Sequence, residues 1–265
     1  MRRLSPSARV EGIVGALRQG AKNAAERVNL DVHRRDLAHP ARRMAAMRVR
    51  GIDAVLDVGA NHGQYVEWLR RSGYHGAILS FEPIPHVFRS LQLRCGADVS
   101  WRGVQAAVGA QSGRLTLNVS EDSVTSSFLA ARSELTSRIP SARAVDVVEV
   151  DVTTVDKVMS SPALAGRRVM LKIDVQGFEH AVLDGASESL GEIELVEIEM
   201  GLTTLYEGGS TIYDLLPRLR GENFGIISLD AGYVDKETGQ VLDLDMLLGR
   251  VPSQASDRAI PGVHE

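Results

Sequence analysis

The stretch Ala54-Val55-Leu56-Asp57-Val58-Gly59-Ala60-Asn61-His62-Gly63, followed by the segment 64–71, decides the fold. Residues 54–58 form a short apolar run with one aspartate, the pattern of a strand buried on both faces. The run ends in Gly59 and Gly63. Glycine has no Cβ, so the backbone there can turn tightly and come close to a neighbour or a ligand. Residues 64–71 have helical spacing, with Tyr65, Trp68 and Leu69 on one face, and Ser72-Gly73 stops the helix. Strand, tight turn and helix make one unit of a parallel sheet.

The same alternation continues outward. Strands are expected at 77–82, 101–108, 114–119, 148–152, 169–175, 193–200 and 224–229, and helices at 64–71, from Pro83 and Pro85 toward Cys95, over 153–159, after Gly177 through Leu183, and over 211–220. A last pair of strands, around Tyr233 and over 241–248, is joined by Asp235-Lys236-Glu237-Thr238-Gly239, which suits a hairpin. The fold class expected is α/β, a doubly wound, mainly parallel, Rossmann-like sheet with a C-terminal antiparallel hairpin. Residues 121–143 break the rhythm: they are rich in Ser, Thr and Ala, with Pro140 near the end. A loop of that length inside a compact domain is expected to serve as a lid over substrate or cofactor.

Composition narrows the setting. The 265 residues suffice for one full-sized α/β domain. No apolar run approaches the roughly 20 residues of a membrane span. Met1-Arg2-Arg3 has no apolar stretch behind it, and Cys95 is the only cysteine, so a reduced, cytoplasmic location is expected without a disulfide or a cysteine-rich zinc site. The net charge of −4 hides an asymmetry. Residues 1–50 carry arginine throughout against only Glu11, Glu26, Asp31 and Asp36. This basic, helical extension (1–50) is read as a solvated face, or as a surface for peripheral contact with anionic lipid. Nucleic acid is not expected as a partner, because the segment lacks aromatic residues for stacking. The main domain is expected over 51–250, with a flexible tail over 251–265.

In a doubly wound sheet, ligands sit beyond the carboxyl ends of the strands, where the strand order reverses. The loop 57–63 falls there, and the helix behind it offers free N–H groups to an anion. Glu82 ends the second strand, where an acidic side chain can accept hydrogen bonds from both hydroxyls of a ribose. Two cofactors answer to such a loop and acid, a nicotinamide dinucleotide and S-adenosyl-L-methionine. The dinucleotide fingerprint needs a middle glycine to admit the pyrophosphate. Gly59-Ala60-Asn61-His62-Gly63 lacks it, which favours the methyl donor.

Three segments together resemble the signatures of the FkbM family of methyltransferases. They are Asp57-Val58-Gly59-Ala60-Asn61-His62-Gly63, Phe81-Glu82-Pro83-Ile84-Pro85 and Leu171-Lys172-Ile173-Asp174-Val175-Gln176-Gly177-Phe178-Glu179, and the resemblance runs from about Asp53 to Leu229. It implies a class I methyltransferase fold and O-methylation of a hydroxyl on a sugar, glycolipid or polyketide-type acceptor. It also implies contacts from Asp57, Gly59, Asn61 and Gly63 to the methionine part and from Glu82 to the ribose. Gln105 and Ala106, at the end of the third strand, would lie at the adenine. Gln176 stands where many members carry glutamate.

A hydroxyl is a poor nucleophile at neutral pH, so transfer needs a base, a metal or close positioning. Lys172 and Asp174 share one face of their strand, and Asp174 is expected to point into the cleft. They are read as catalytic, with Glu179 or Glu199 assisting, or as a structural ion pair. His62 is either a base beside the methyl group or a side chain packed on the loop. Ser126 and Ser127 are candidates for contact from the long loop, and His180 for a supporting position. No cluster has metal-ligand spacing; a divalent metal is the alternative means of activating the hydroxyl. The competing classes are an NAD-dependent oxidoreductase and a non-catalytic cofactor-binding subunit.

Overall fold

The computed structural model describes residues 39–251. The basic segment 1–38 and the tail beyond 251, with the lipid contact and flexibility expected of them, lie outside the described residues. The chain divides into two units between Arg42 and Arg43, and among the described residues every strand belongs to the second. Among the described residues, no helix is long and apolar enough to cross a membrane.

The elements run α1 (His39–Val49), β1 (Ala54–Val58), α2 (Gln64–Arg71), β2 (Ala77–Phe81), α3 (Pro85–Cys95), β3 (Trp101–Val104), β4 (Ala107–Val108), β5 (Gly113–Ser120) and α4 (Ser133–Arg138). They continue through β6 (Ala144–Thr153), α5 (Val155–Met159), β7 (Val169–Ile173), α6 (Glu179–Asp184), β8 (Ile193–Gly201), α7 (Ile212–Gly221), β9 (Phe224–Ala231) and β10 (Asp243–Arg250). Seven strands form one sheet in the order β3-β2-β1-β7-β8-β10-β9, in which β10 is antiparallel to both its neighbours. This is the doubly wound, class I methyltransferase-like topology with a C-terminal hairpin. Both faces are covered. Val55, Ile78, Met170 and Leu195 pack against Met47, Leu69 and Leu91 of α1 to α3. Leu56, Val58, Leu171 and Ile173 pack on the other face against Val182, Leu183, Leu215 and Leu219 of α6 and α7.

Three local expectations are corrected. The strand expected over 101–108 is two strands. β3 closes the edge of the main sheet, and after Gln105-Ala106 the chain leaves it, so that β4 pairs with β6 in a second sheet of order β4-β6-β5. The segment expected at 148–152 is twice as long, running over Ala144–Thr153. Its first four residues are exposed, and its second half alternates, with Glu149 and Asp151 facing solvent while Val150 and Val152 are buried, the period-two pattern of a half-covered strand. The hairpin is built from β9 and β10, with Val234 and Val241 bridged near its tip. Tyr233 belongs to that connection rather than to a strand of its own.

The second sheet supplies one wall of the site. Leu117, Val119, Val150 and Val152 pack on Ile84 and Val87, carrying the start of the segment 121–143 over the ends of β1 and β2.

Candidate active site

The strand order reverses at β1, between β2 and β7, and there a cleft opens beyond the carboxyl ends. Its lining includes Gly59, Asn61, Glu82, Ala107, Leu117 and Asp174, with Ser123, Ser126 and Phe128 reaching in from the long segment.

The glycine loop is shaped by neighbours within the chain. Gly59 has φ +78°, and a Cβ there would lie 1.8 Å from the carbonyl oxygen of Asp174. Gly63 has φ +86° and would drive a Cβ to 2.8 Å from Cys95 Sγ. Both conformations favour glycine, as expected, but the close approach is to protein at both positions. Gly59 is therefore where the ends of β1 and β7 come close, which sets Asp174 directly beside the loop.

Glu82 is 4% exposed. Its Oε2 accepts from the Asn61 N–H at 3.0 Å and its Oε1 from the Ile84 N–H at 2.8 Å. Each oxygen keeps a further lone pair for a ligand in the cleft. Burial, only partly offset by these N–H groups, pushes the carboxyl up to about pKa 7.

Asp57, Lys172 and Glu197 stand side by side in register on β1, β7 and β8. Ser80 extends the row onto β2 and donates to Asp57 Oδ2 at 2.9 Å, and Trp101 Nε1 donates to Ser80 Oγ. Asp57 is wholly buried and sits beneath the cleft rather than in its lining. Lys172 Nζ donates to the Gly59 carbonyl at 3.0 Å and to Asp174 Oδ2 at 3.3 Å, and lies 3.5 Å from Asp57 Oδ1. Burial opposes charge on Lys172, but Asp174 and Asp57 outweigh it and hold the ammonium above the ordinary lysine range. Lys172 is thus a permanent cation that ties loop to strand and cannot serve as a base at neutral pH. Burial raises the Asp57 carboxyl, with Lys172 pulling the other way. Behind this row, Tyr65 donates to Glu197 Oε2 at 2.9 Å, and Arg43 pairs with Glu197 while covering the Trp68 ring.

Asp174 differs from these groups in keeping its side chain 42% exposed at the cleft. Burial works against its charge, but Lys172 and the Gln176 amide hold it below the usual aspartate range. Glu199 lines a second cavity beyond Gln176, together with Glu179, Ser210 and Asp243. Burial first, then Asp174, push the Glu199 carboxyl well up. Glu179 accepts from the N–H groups of Val175 and Gly177, and burial raises it to about 7.

The structure does not bring the remaining sequence candidates to the cleft. His62 is half-buried outside its lining, with its backbone N–H on Asn61 Oδ1; Gly63 and Ala106 are buried elsewhere, and Gln105 faces solvent. Ser127 donates to the Gln176 carbonyl at 2.7 Å, and the His180 ring packs edge-on against Phe178. Among the described residues no cluster of His, Cys, Asp or Glu can hold a metal ion. Sequence reading missed Tyr206, Ser123 and the Arg43–Tyr65–Glu197 support. The alternation of Glu197 with Glu199 on one strand face was the available signal for the last of these.

The family described as Methyltransferase FkbM domain matches residues 57–234, which span the loop, Glu82, Asp174 and the hairpin's first strand. The chain belongs to this family. It is an S-adenosylmethionine-dependent methyltransferase, which sets aside the oxidoreductase and non-catalytic readings. No curated protein sequence matches the chain. Among solved structures it is similar to an rRNA methylase from Streptococcus thermophilus, at 10% identity over 82% of this chain and 99% of that one, with a TM-score of 0.42. It is also similar to 1,6-didemethyltoxoflavin-N1-methyltransferase from Burkholderia thailandensis, at 10% identity over 95% and 93% of the two chains, with a TM-score of 0.41.

The cleft of this FkbM methyltransferase has polar groups that fit its cofactor. Ser123 Oγ is buried in the lining without a hydrogen-bond partner, and Glu82 has spare acceptor capacity. Val58, Phe81, Val108 and Leu117 give the apolar surface on which a base can rest.

Proposed function

We propose that the chain transfers a methyl group to a hydroxyl of a sugar, glycolipid or polyketide-type acceptor, with Asp174 as the group that accepts or orients the hydroxyl proton. One observation carries this reading: Asp174 is the ionised, partly exposed carboxylate of the cleft, anchored by Lys172 at 3.3 Å. S-adenosylmethionine supplies an electrophilic methyl on a sulfonium. Glu82 would hold the ribose, the Gly59–Asn61 loop the methionine part, and Ala107 and Val108 the face of the adenine. Asp57 and Gly63 would act by shaping the loop. An anionic carboxylate beside the sulfonium favours binding of the cation, and positioning of the hydroxyl supplies much of the rate. The cavity bounded by Gln176, Glu199 and Ser210 is the natural place for the acceptor. A cytoplasmic location accords with this chemistry.

The test is transfer of isotopically labelled methyl from S-adenosylmethionine to a panel of glycosides, glycolipids and hydroxylated macrolactones. The expected product is a methyl ether, stable to mild base, and Asp174→Ala is expected to lose its formation. Methyl transfer that survives Asp174→Ala contradicts the role of that residue. Absence of calorimetric binding at millimolar S-adenosylmethionine contradicts the cleft assignment.

A further inference from the structure

Gln176 lines both the cofactor cleft and the cavity beyond it. Its backbone has φ +56°, in the left-handed region that a non-glycine residue seldom adopts. Every polar atom of its side chain is engaged. Nε2 donates to Asp174 Oδ1 at 3.1 Å and to Glu199 Oε2 at 2.6 Å, while Oε1 accepts from the Tyr206 hydroxyl at 3.0 Å. Its carbonyl accepts from Ser127 Oγ, so the segment 121–143 and the loop after β8 both meet at this residue. The amide can be oriented only one way, because an ionised carboxylate on the nitrogen side has no proton to give.

We propose that Gln176 is a positioning residue: an amide in the wall between the two cavities that holds Asp174 and Glu199 in one arrangement through a bridge that does not titrate. This rests on the reading of Asp174 as the group that meets the acceptor. A glutamate here could donate only with a proton bound, and then one hydrogen instead of two. Titratable groups face it from every side. They comprise Asp174 and Lys172 from β7, Glu179 from α6, Glu199 from β8, Asp243 and Asp245 from β10, Tyr206 from the loop after β8, and Asp122 from the segment after β5. These carboxylates outnumber the ammonium of Lys172, so a glutamate at position 176 would keep its proton to higher pH in the folded chain than in the unfolded one. Its contribution would be complete at low pH and lost as pH rises through the folded value.

The experiment is thermal unfolding of the full chain without ligand from pH 5 to pH 8.5, paired with calorimetric binding of S-adenosylmethionine. Gln176→Glu is expected to unfold within about 2 °C of wild type at pH 5 and about 4–8 °C lower at pH 8. Its deficit in affinity should widen roughly tenfold over the same range. The exchange Gln176→Glu with Glu199→Gln returns an amide to the bridge and should remove most of the added pH dependence. Curves for Gln176→Glu that run parallel to wild type overturn the proposal, as does an exchange variant with the slope of the single variant. Should Gln176→Glu fold at no pH, Gln176→Ala decides: at least a roughly tenfold loss of affinity supports the bridge, and a smaller loss overturns it. Wild type that fails to bind the cofactor at all counts against the cleft assignment alone, since the unfolding curves stand independently of it.

Discussion

Lys172 Nζ reaches 3.0 Å from the carbonyl oxygen of Gly59, so the strand that leads to Asp174 also holds the loop that precedes α2. The same ammonium donates to Asp174 Oδ2 and lies 3.5 Å from Asp57 Oδ1, so one cation faces both carboxylates. Charges taken so far from water are retained only when each finds its partner.

Removing that cation should therefore cost more than one contact. Lys172→Met leaves Asp57 buried without its counter-charge, and a loss of about 3–5 kcal/mol is expected. Urea unfolding at pH 7.5 measures it. A midpoint unchanged from wild type would contradict the structural role of the row.

The two loop glycines should differ in tolerance. Gly59→Ala places a methyl group on the Asp174 backbone oxygen, which cannot move without parting β1 from β7. Gly63→Ala meets the ends of Cys95 and Leu91 side chains, which can give. Gly59→Ala is expected to prevent soluble expression, and Gly63→Ala to lower stability by about 1–3 kcal/mol. Equal denaturation midpoints for the two would rule out this ordering.

Glu82 predicts a pH dependence. Its folded pKa, about 7, lies above that of an unfolded glutamate, so the folded state binds the extra proton. Between the two values the unliganded protein loses stability as pH rises, and Glu179 acts in the same sense. Ribose hydroxyls donate best to the ionised form, so affinity for S-adenosylmethionine should increase from pH 6 to pH 8. Glu82→Gln should flatten that rise and weaken binding about 10–100-fold at pH 8. Calorimetry at three pH values checks both, and an equal rise in the variant would assign the titration elsewhere.

Asp174→Asn keeps the shape and removes the charge. Methyl transfer is expected to fall about 10²–10⁴-fold while the thermal midpoint changes little. Single-turnover transfer with a preloaded cofactor distinguishes this from weakened binding. A variant with full transfer rate would show that positioning alone suffices.

Much of this molecule follows from short-range pattern. Ala54–Val58, Gly59, Gly63 and the periodic segment behind them form strand, turn and helix because backbone sterics and burial act within a few residues. Glu82 and Asp174 are legible in the same way, as acids at strand ends, and strand order then sets them around one cleft. The break between Val104 and Ala107 was not legible, since an apolar run does not tell which of two sheets its end will join.

The amino-acid sequence by itself determined the alternating elements, the glycine loop and the acids that end its strands. Only the tertiary structure decided which of those acids face the cleft. Asp57, Lys172 and Glu197 are far apart in the chain and become one buried row through the register of three strands. Gln176 likewise gains its place from Asp174, Glu199 and Tyr206 together. Hydrogen bonds and ion pairs act over a few ångströms, so partners brought together by strand pairing leave no trace in local sequence pattern.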